Sequence, residues 1–183
     1  MTATEVLKTE HRDIRVMLSV LENVADRLEG GEAVPHADLE AMLDFIRTFA
    51  DSLHHAKEEG LLFPALERAG FPRESGPVGV MLLEHDTGRG HTRGLAEAAE
   101  RLQAGDAAAA REAAGHARAY VQLLDAHIYK EDNILFEMAD MHLSEEEQKW
   151  LSDEFERVAD RFGHDRHEEY HDLLHTLRDR YLS

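Results

Sequence analysis

The sequence contains no cysteine among its 183 residues. This absence excludes disulfide bonds, thiolate zinc sites, iron–sulfur clusters and catalysis by a thiol. No stretch approaches the roughly 18 consecutive apolar residues of a membrane-spanning helix. Basic residues are in deficit, because 20 Lys and Arg stand against 38 Asp and Glu, which gives a net charge of −18. So negative a surface repels phosphate, and this disfavours binding to nucleic acid or to an anionic membrane.

Histidine, by contrast, is abundant. The chain has 13 histidines, where a soluble protein of this length would have about four. Imidazole is the commonest metal ligand in proteins and titrates near neutral pH. The N-terminal region is charged throughout and lacks the apolar run of a signal peptide, so we expect a cytoplasmic protein.

Apolar residues recur at steps of three to four along four long segments, which is typical of amphipathic helices. The segments are residues 3–29, 36–69, 78–104 and 106–141. Pro64 is expected to kink or end the second helix. No stretch alternates as a strand does, and the connections are short. The sequence therefore predicts an all-α fold, an antiparallel up-down-up-down four-helix bundle.

A fifth amphipathic segment, residues 144–182, follows the predicted bundle. Ser144 and Glu147 have the spacing of a capping box at its start, and Gly163 is expected to divide it. We expect this additional C-terminal helical segment to pack along the bundle, or to bind a second copy of the chain or another protein partner. The predicted division is a bundle over residues 1–143 and a helical extension over residues 144–183.

The first half of the predicted bundle resembles the second half. Glu10-His11 recurs as Glu84-His85. Residues 54–63, HHAKEEGLLF, recur as residues 127–136, HIYKEDNILF, at a similar distance along the chain from the preceding motif. The sequence therefore predicts two helical hairpins of the same design in tandem.

The repeat selects one His, and then one His-x-x-x-Glu pair, in each half. Residues i and i+4 lie on one face of a helix, and residues at similar depth in a bundle converge on its core. Two buried carboxylates need positive charge beside them. We therefore predict a dinuclear metal site with bridging glutamates, formed by His11, His54, Glu58, His85, His127 and Glu131. This donor set suits iron, manganese or zinc, and it leaves positions open for O2, peroxide or NO.

Two alternatives concern residues next to the predicted ligands. His55 and Glu59 have the same spacing one residue further on, but Ile128 at the matching place in the repeat favours His54. Glu10 and Glu84 are candidate acceptors for imidazole N–H groups. Because adjacent residues lie about 100° apart on a helix, the favoured interpretation of these two is a solvated face.

Other histidines also have two interpretations. His91 follows His85 by six residues and belongs either to the rim of the site or to packing between helices. The last four histidines share one helical stripe, which is either a second metal site or, by default, a solvated or partner-facing surface. They are His164, His167, His171 and His175.

On these motifs, the sequence resembles the hemerythrin-like HHE cation-binding family. The resemblance rests on the order H…HxxxE…H…HxxxE, with KEEGLLFP at residues 57–64 and KEDNILF at residues 130–136. It implies a four-helix bundle that holds two iron ions and a solvent-derived bridge, with zinc or manganese as possible replacements. It also implies that the six residues selected by the repeat are the ligands.

The chain departs from the pattern of the oxygen-carrying hemerythrins. Those proteins look like they use another histidine four residues after the third-helix histidine, and this chain has Arg89 at that position. In the fourth helix, Glu131 rather than Asp132 matches the HHE pattern. The resemblance implies a non-haem di-iron protein that binds or senses O2, peroxide or NO. The alternatives are an oxidoreductase that decomposes peroxide, and storage or delivery of iron for the repair of damaged iron centres.

Overall fold

The computed structural model describes residues 1–182, which form six helices and no strand. Four of the helices are uninterrupted: α1 (Ala3–Glu29), α3 (Gly76–Gln103), α5 (Glu145–Phe162) and α6 (His164–Tyr181). The all-α prediction is confirmed. Within residues 1–182, no helix combines the length and the apolar character needed to cross a membrane.

The other two helices change between α-helical and π-helical hydrogen bonding. Helix α2 covers residues 36–68. It is α-helical over His36–Phe45 and Phe63–Arg68, and it is π-helical over Ile46–His55 and Glu58–Leu62. Helix α4 covers residues 109–142, as Ala109–Lys130, π-helical Glu131–Leu135, and Phe136–His142. The predicted ends of all four bundle helices lie within a few residues of these bounds.

A π-helical turn occurs at the same place in both halves of the repeat. The Phe63 N–H donates to the carbonyl of Glu58, and the Phe136 N–H donates to that of Glu131, five residues earlier in each case. Pro64 does not end α2, because the wider turn carries the helix past it to Arg68. The second half makes the same turn without a proline, so the proline is not its cause. Such turns concentrate at functional sites.

The apolar interior consists of two clusters. One contains Ile14, Leu53 and Leu124, and the other contains Leu7, Phe63 and Phe136 along the same helices. Each fully buried leucine or phenylalanine side chain contributes about 1.5–3 kcal/mol to folding. The predicted site residues lie between the two clusters in the order of the helices, so apolar packing on both sides holds the polar site in place.

The C-terminal helices pack mainly against α1 and α2. The capping box of Ser144 and Glu147 begins α5, as predicted, and Gly163 separates α5 from α6 at a φ of 98°, a conformation that favours glycine. Phe155 is 1% exposed and joins one apolar cluster. The Tyr170 hydroxyl donates to Asp44 at 2.6 Å. The segment therefore packs along the bundle, while a domain boundary at residue 143 stays a prediction.

Candidate metal centre

The six predicted residues come together in the middle of the bundle, and each is at most 1% exposed. Helices α1 and α3 each provide one histidine, and α2 and α4 each provide a His-x-x-x-Glu pair. The pairs converge because residues four apart share one face of a helix. The six are His11, His54, Glu58, His85, His127 and Glu131.

Glu58 lies between an imidazole of its own helix and one of α3. Its Oε1 is 3.4 Å from His54 Nε2, and its Oε2 is 3.4 Å from His85 Nε2. Burial opposes ionisation of Glu58, but these histidines outweigh it and hold the pKa of the carboxyl well below its usual range. The two oxygens of this carboxylate therefore face imidazoles from two different helices.

Glu131 repeats this arrangement in the second half. Its Oε1 is 3.1 Å from His127 Nε2, and its Oε2 is 3.2 Å from His11 Nε2. Burial and the charge of Glu58 oppose ionisation, yet the histidines bring the pKa of Glu131 to about 2. The Nε2 atoms of His85 and His127 are 3.1 Å apart. The imidazoles therefore surround the carboxylates with their Nε2 atoms facing inward.

The outward-facing nitrogen of each of these four imidazoles contacts a carboxylate. The Nδ1 partners are Asp132 for His11 (2.7 Å), Glu10 for His54 (2.9 Å), Glu59 for His85 (2.7 Å) and Glu84 for His127 (2.9 Å). Because a carboxylate only accepts, Nδ1–H donates, so Nε2 is the nitrogen that would bind an ion, after losing any proton that it carries. This is the orientation of a metal-binding histidine.

Glu10 and Glu84 also bind lysines, so the solvated face favoured for them from the sequence is wrong. Glu10 contacts Lys57, and Glu84 contacts Lys130. Burial opposes ionisation of Glu10, but the hydrogen bond of His54 and the charge of Lys57 lower its pKa. Lys57 is 1% exposed, with its Nζ 5.8 Å from the ring centroid of Phe155. The side chain of Lys130 is 33% exposed.

Five buried polar atoms at the centre have no hydrogen-bond partner among the described residues. They are both carboxylate oxygens of Glu58, both of Glu131, and Nε2 of His11. Buried polar atoms without partners are costly, and buried carboxylates most of all. Cations would satisfy these oxygens and the inward lone pairs together. The donor set therefore fits metal binding, and imidazole together with carboxylate suits iron, manganese or zinc.

The ligand atoms fall into two groups, and within each group they lie within 4.8 Å of one another. One group is His11, His54, Glu58 and Glu131, and the other is His55, Glu58, His85 and His127. Both groups include Glu58, so the two positions adjoin.

His55 belongs to one of these groups although the repeat has Ile128 at its position. It is buried, and its ring centroid is 3.8 Å from that of His85. Burial and the neighbouring His85 lower the pKa of His55 to about 4, so the ring is neutral near pH 7. In the sequence, the adjacent histidines His54 and His55 were the signal that a second imidazole lies at this site. Both rings face the interior because Ile46–His55 is π-helical, and adjacent residues are closer in angle when a turn contains more residues.

A cavity of about 210 Å³ reaches His55 and His85 from the surface. Ile46, Gly88 and Tyr120 form part of its wall. Exposed arginines also line it, namely Arg47 and Arg93, together with the ion-paired Arg89 and Asp51. A cavity of this size has room for a small molecule. It therefore offers space for a small ligand beside these two rings.

The remaining histidines lie elsewhere. His91 Nδ1 is 3.5 Å from His116 Nδ1, between α3 and α4. His171 Nε2 is 3.3 Å from Asp13, and His164 pairs with Glu168 on the surface. Over residues 1–182, the only further group with metal-binding spacing is His36, Glu40 and Glu100, whose carboxylates are exposed.

Comparison with known proteins gives the class to which this bundle and its His and Glu cluster belong. The sequence model of the Hemerythrin HHE cation binding domain matches residues 2–139, so the chain belongs to that family. The predicted resemblance is confirmed, and the family points to a cation-binding protein.

Similar curated proteins include the uncharacterized protein Rv1995 of Mycobacterium tuberculosis and the uncharacterized protein Mb2018 of Mycobacterium bovis. Each is 27% identical over 173 residues, which cover 87% of this chain and 67% of the relative. No solved structure matches the chain.

Proposed function

We propose that this chain is a cytoplasmic non-haem di-iron protein that binds or senses O2, peroxide or NO. The ligands are the six residues selected by the repeat, His11, His54, Glu58, His85, His127 and Glu131, with both glutamates bridging the ions beside a solvent-derived bridge. One observation carries the proposal: imidazole nitrogens from four helices surround two carboxylates whose buried oxygens have no hydrogen-bond partner among residues 1–182.

The placement of the donors favours two ions over one. The imidazoles form two pairs, His11 with His54 and His85 with His127. The carboxylates of Glu58 and Glu131 each have one oxygen near the first pair and the other oxygen near the second pair. A single ion between the pairs would leave part of this donor set without a cation. Two ions would use both carboxylates and all the inward-facing imidazole nitrogens, and the solvent-derived bridge would offset their excess positive charge.

The residues of the chain keep the donors in place and limit what reaches them. The carboxylates on Nδ1 fix each ring, and the apolar clusters on both sides exclude water. The cavity beside His55 and His85 admits molecules of a few atoms. Bound iron would supply a Lewis acid and a redox-active centre for such a ligand.

The test is an anaerobic titration of the metal-free full chain with Fe(II), followed by metal analysis and visible spectra before and after O2, peroxide or NO is added. We expect two irons per chain and a spectrum that changes with at least one ligand. The variant Glu58→Ala/Glu131→Ala should lose stoichiometric iron, whereas the surface variant Glu137→Ala should keep it. Retention of two irons by the double variant would contradict the assignment.

The same sample separates the related activities. Steady evolution of O2 from peroxide that disappears in His127→Ala would place the centre among peroxide-decomposing oxidoreductases. Rapid transfer of the bound iron to an apo acceptor would indicate iron delivery instead. A centre that resists chelators and binds the added ligand reversibly is the outcome that we expect.

A further inference from the structure

His55 shares the environment of the four predicted histidine ligands. Within residues 1–182, five histidines contact a carboxylate through Nδ1: His11, His54, His85, His127 and His55. The fifth contact joins His55 Nδ1 to Asp51 Oδ1 at 3.1 Å. Since Asp51 accepts the proton of Nδ1, the nitrogen that remains for an ion is Nε2. In this part of the chain, the other histidines have no such contact through Nδ1.

The position of His55 agrees with this environment. One of its ring nitrogens lies within 4.8 Å of ligand atoms of Glu58, His85 and His127. The ring is 5% exposed and stacks on His85. A buried imidazole nitrogen that lies this close to the other donor atoms would coordinate an ion that they hold.

The partner of His55 is itself fixed. Arg89 Nε donates to Asp51 Oδ1 at 2.9 Å, and Arg89 Nη2 donates to Glu59 Oε1 at 2.7 Å. One guanidinium therefore holds the acceptors of both His55 and His85. The hydrogen bonds of His55 and Arg89 lower the pKa of Asp51 against the effect of burial, so its carboxylate is ionised.

We propose that His55 is a fifth histidine ligand of the centre, on the ion held by His85 and His127, and that Asp51 positions it. The inference rests on the proposed dinuclear site but adds a ligand outside the repeat, where Ile128 occupies the matching place. It makes the centre asymmetric, with three imidazoles on one ion and two on the other.

The experiment counts imidazole ligands directly. The full chain, labelled with ¹⁵N on histidine Nδ1, is loaded with two Co(II) ions, and paramagnetic NMR counts the contact-shifted Nδ1–H signals. We expect five signals in the wild type and four in His55→Ile, which introduces the residue of the other half. The control His91→Ala should keep five. His55→Gln serves as a second variant if isoleucine impairs folding, as judged by circular dichroism.

A positioning role for Asp51 has its own readout. Asp51→Asn should keep His55 in place but weaken binding of one Co(II) about 10- to 100-fold. If two ions bind and His55→Ile retains the wild-type number of signals, His55 only packs against His85, and the inference fails while the proposed function stands. If the wild type does not take up two ions, both are overturned.

Discussion

The two halves of the bundle contain the same chemistry in different surroundings. In the first half, α1 and α2, Lys57 is sealed beneath Phe155 of α5, and its partner Glu10 is 7% exposed. In the second half, α3 and α4, the matching Lys130 is a third exposed. The repeat therefore preserves the donors and their acceptors, while the C-terminal helices make one half drier than the other.

The comparison shows which properties follow from the repeat and which follow from packing. The distances from histidine Nδ1 to carboxylate agree between matching pairs, at 2.9 Å for His54 and His127 and at 2.7 Å for His11 and His85. The electrostatic cost of disturbing each pair differs, because charges are less screened where water is excluded. Experiments on matched positions can separate the two contributions.

The largest expected effect is the dependence of metal affinity on pH, and here the halves should behave alike. The carboxylate neighbours raise the pKa of His54 and of His127 to about 10 against the effect of burial. Without metal, each ring is therefore protonated at neutral pH, and an ion must displace one proton from each half. Between pH 6.5 and 9 the apparent affinity for the pair of ions should rise about a hundredfold per pH unit.

Proton release on adding Zn(II) to a weakly buffered sample measures this directly. About two protons per pair of ions are expected, and release of none would contradict the prediction.

The stability of the metal-free protein should change with pH in the opposite direction to its metal affinity. Its stability from these contacts is complete below pH 6.5 and is lost as pH rises through about 10, because the raised pKa values belong to the folded state.

The next largest effect should distinguish the halves. Lys57→Met removes the charge but keeps an apolar stem, and it leaves the buried Glu10 with His54 as its one remaining cation. We expect the metal-free protein to lose about 2–3 kcal/mol of unfolding free energy, because a buried carboxylate loses one of its charged partners. Lys130→Met should cost less than about 1 kcal/mol, because that pair is partly exposed to water. Urea unfolding gives both values, and equal losses would show that the cover of Phe155 is irrelevant.

A smaller effect concerns the acceptors of His11 and His85. Asp132→Asn and Glu59→Gln each keep the shape of the side chain but weaken a contact to Nδ1. Each should lower metal affinity about 10- to 100-fold. Glu59→Gln should have the greater effect, since Glu59 also holds Arg89. Competition with a chromophoric chelator measures the affinities, and unchanged values in both variants would argue against orientation by these carboxylates.

The smallest effect is at Gly60, whose counterpart in the second half is Asn133. A Cβ at Gly60 would meet no atom within 4 Å, and the backbone there is helical with a negative φ. Gly60→Ala should therefore stabilise the protein by about 0.5–1 kcal/mol. Gly163→Ala is the opposite control and should destabilise, because φ is 98° there. A thermal melt of each variant provides the check.

Much of the fold could be predicted because its signals are local. The helix ends followed from apolar periodicity and from breakers such as Gly163, and the six site residues followed from comparing the two halves. His55 could not be found in this way, because the repeat excluded it and a period of 3.6 residues does not reveal a π-helical stretch. The burial of Lys57 depends on Phe155, nearly 100 residues away in the chain, which no local pattern contains.

Each of the four outer hydrogen bonds of the centre joins two helices. His54 joins α2 to α1, His11 joins α1 to α4, His127 joins α4 to α3, and His85 joins α3 to α2. Together they form a closed belt around the bundle at a single level. Folding therefore orients the imidazole rings before a metal ion binds, so binding of the ion costs little side-chain conformational entropy.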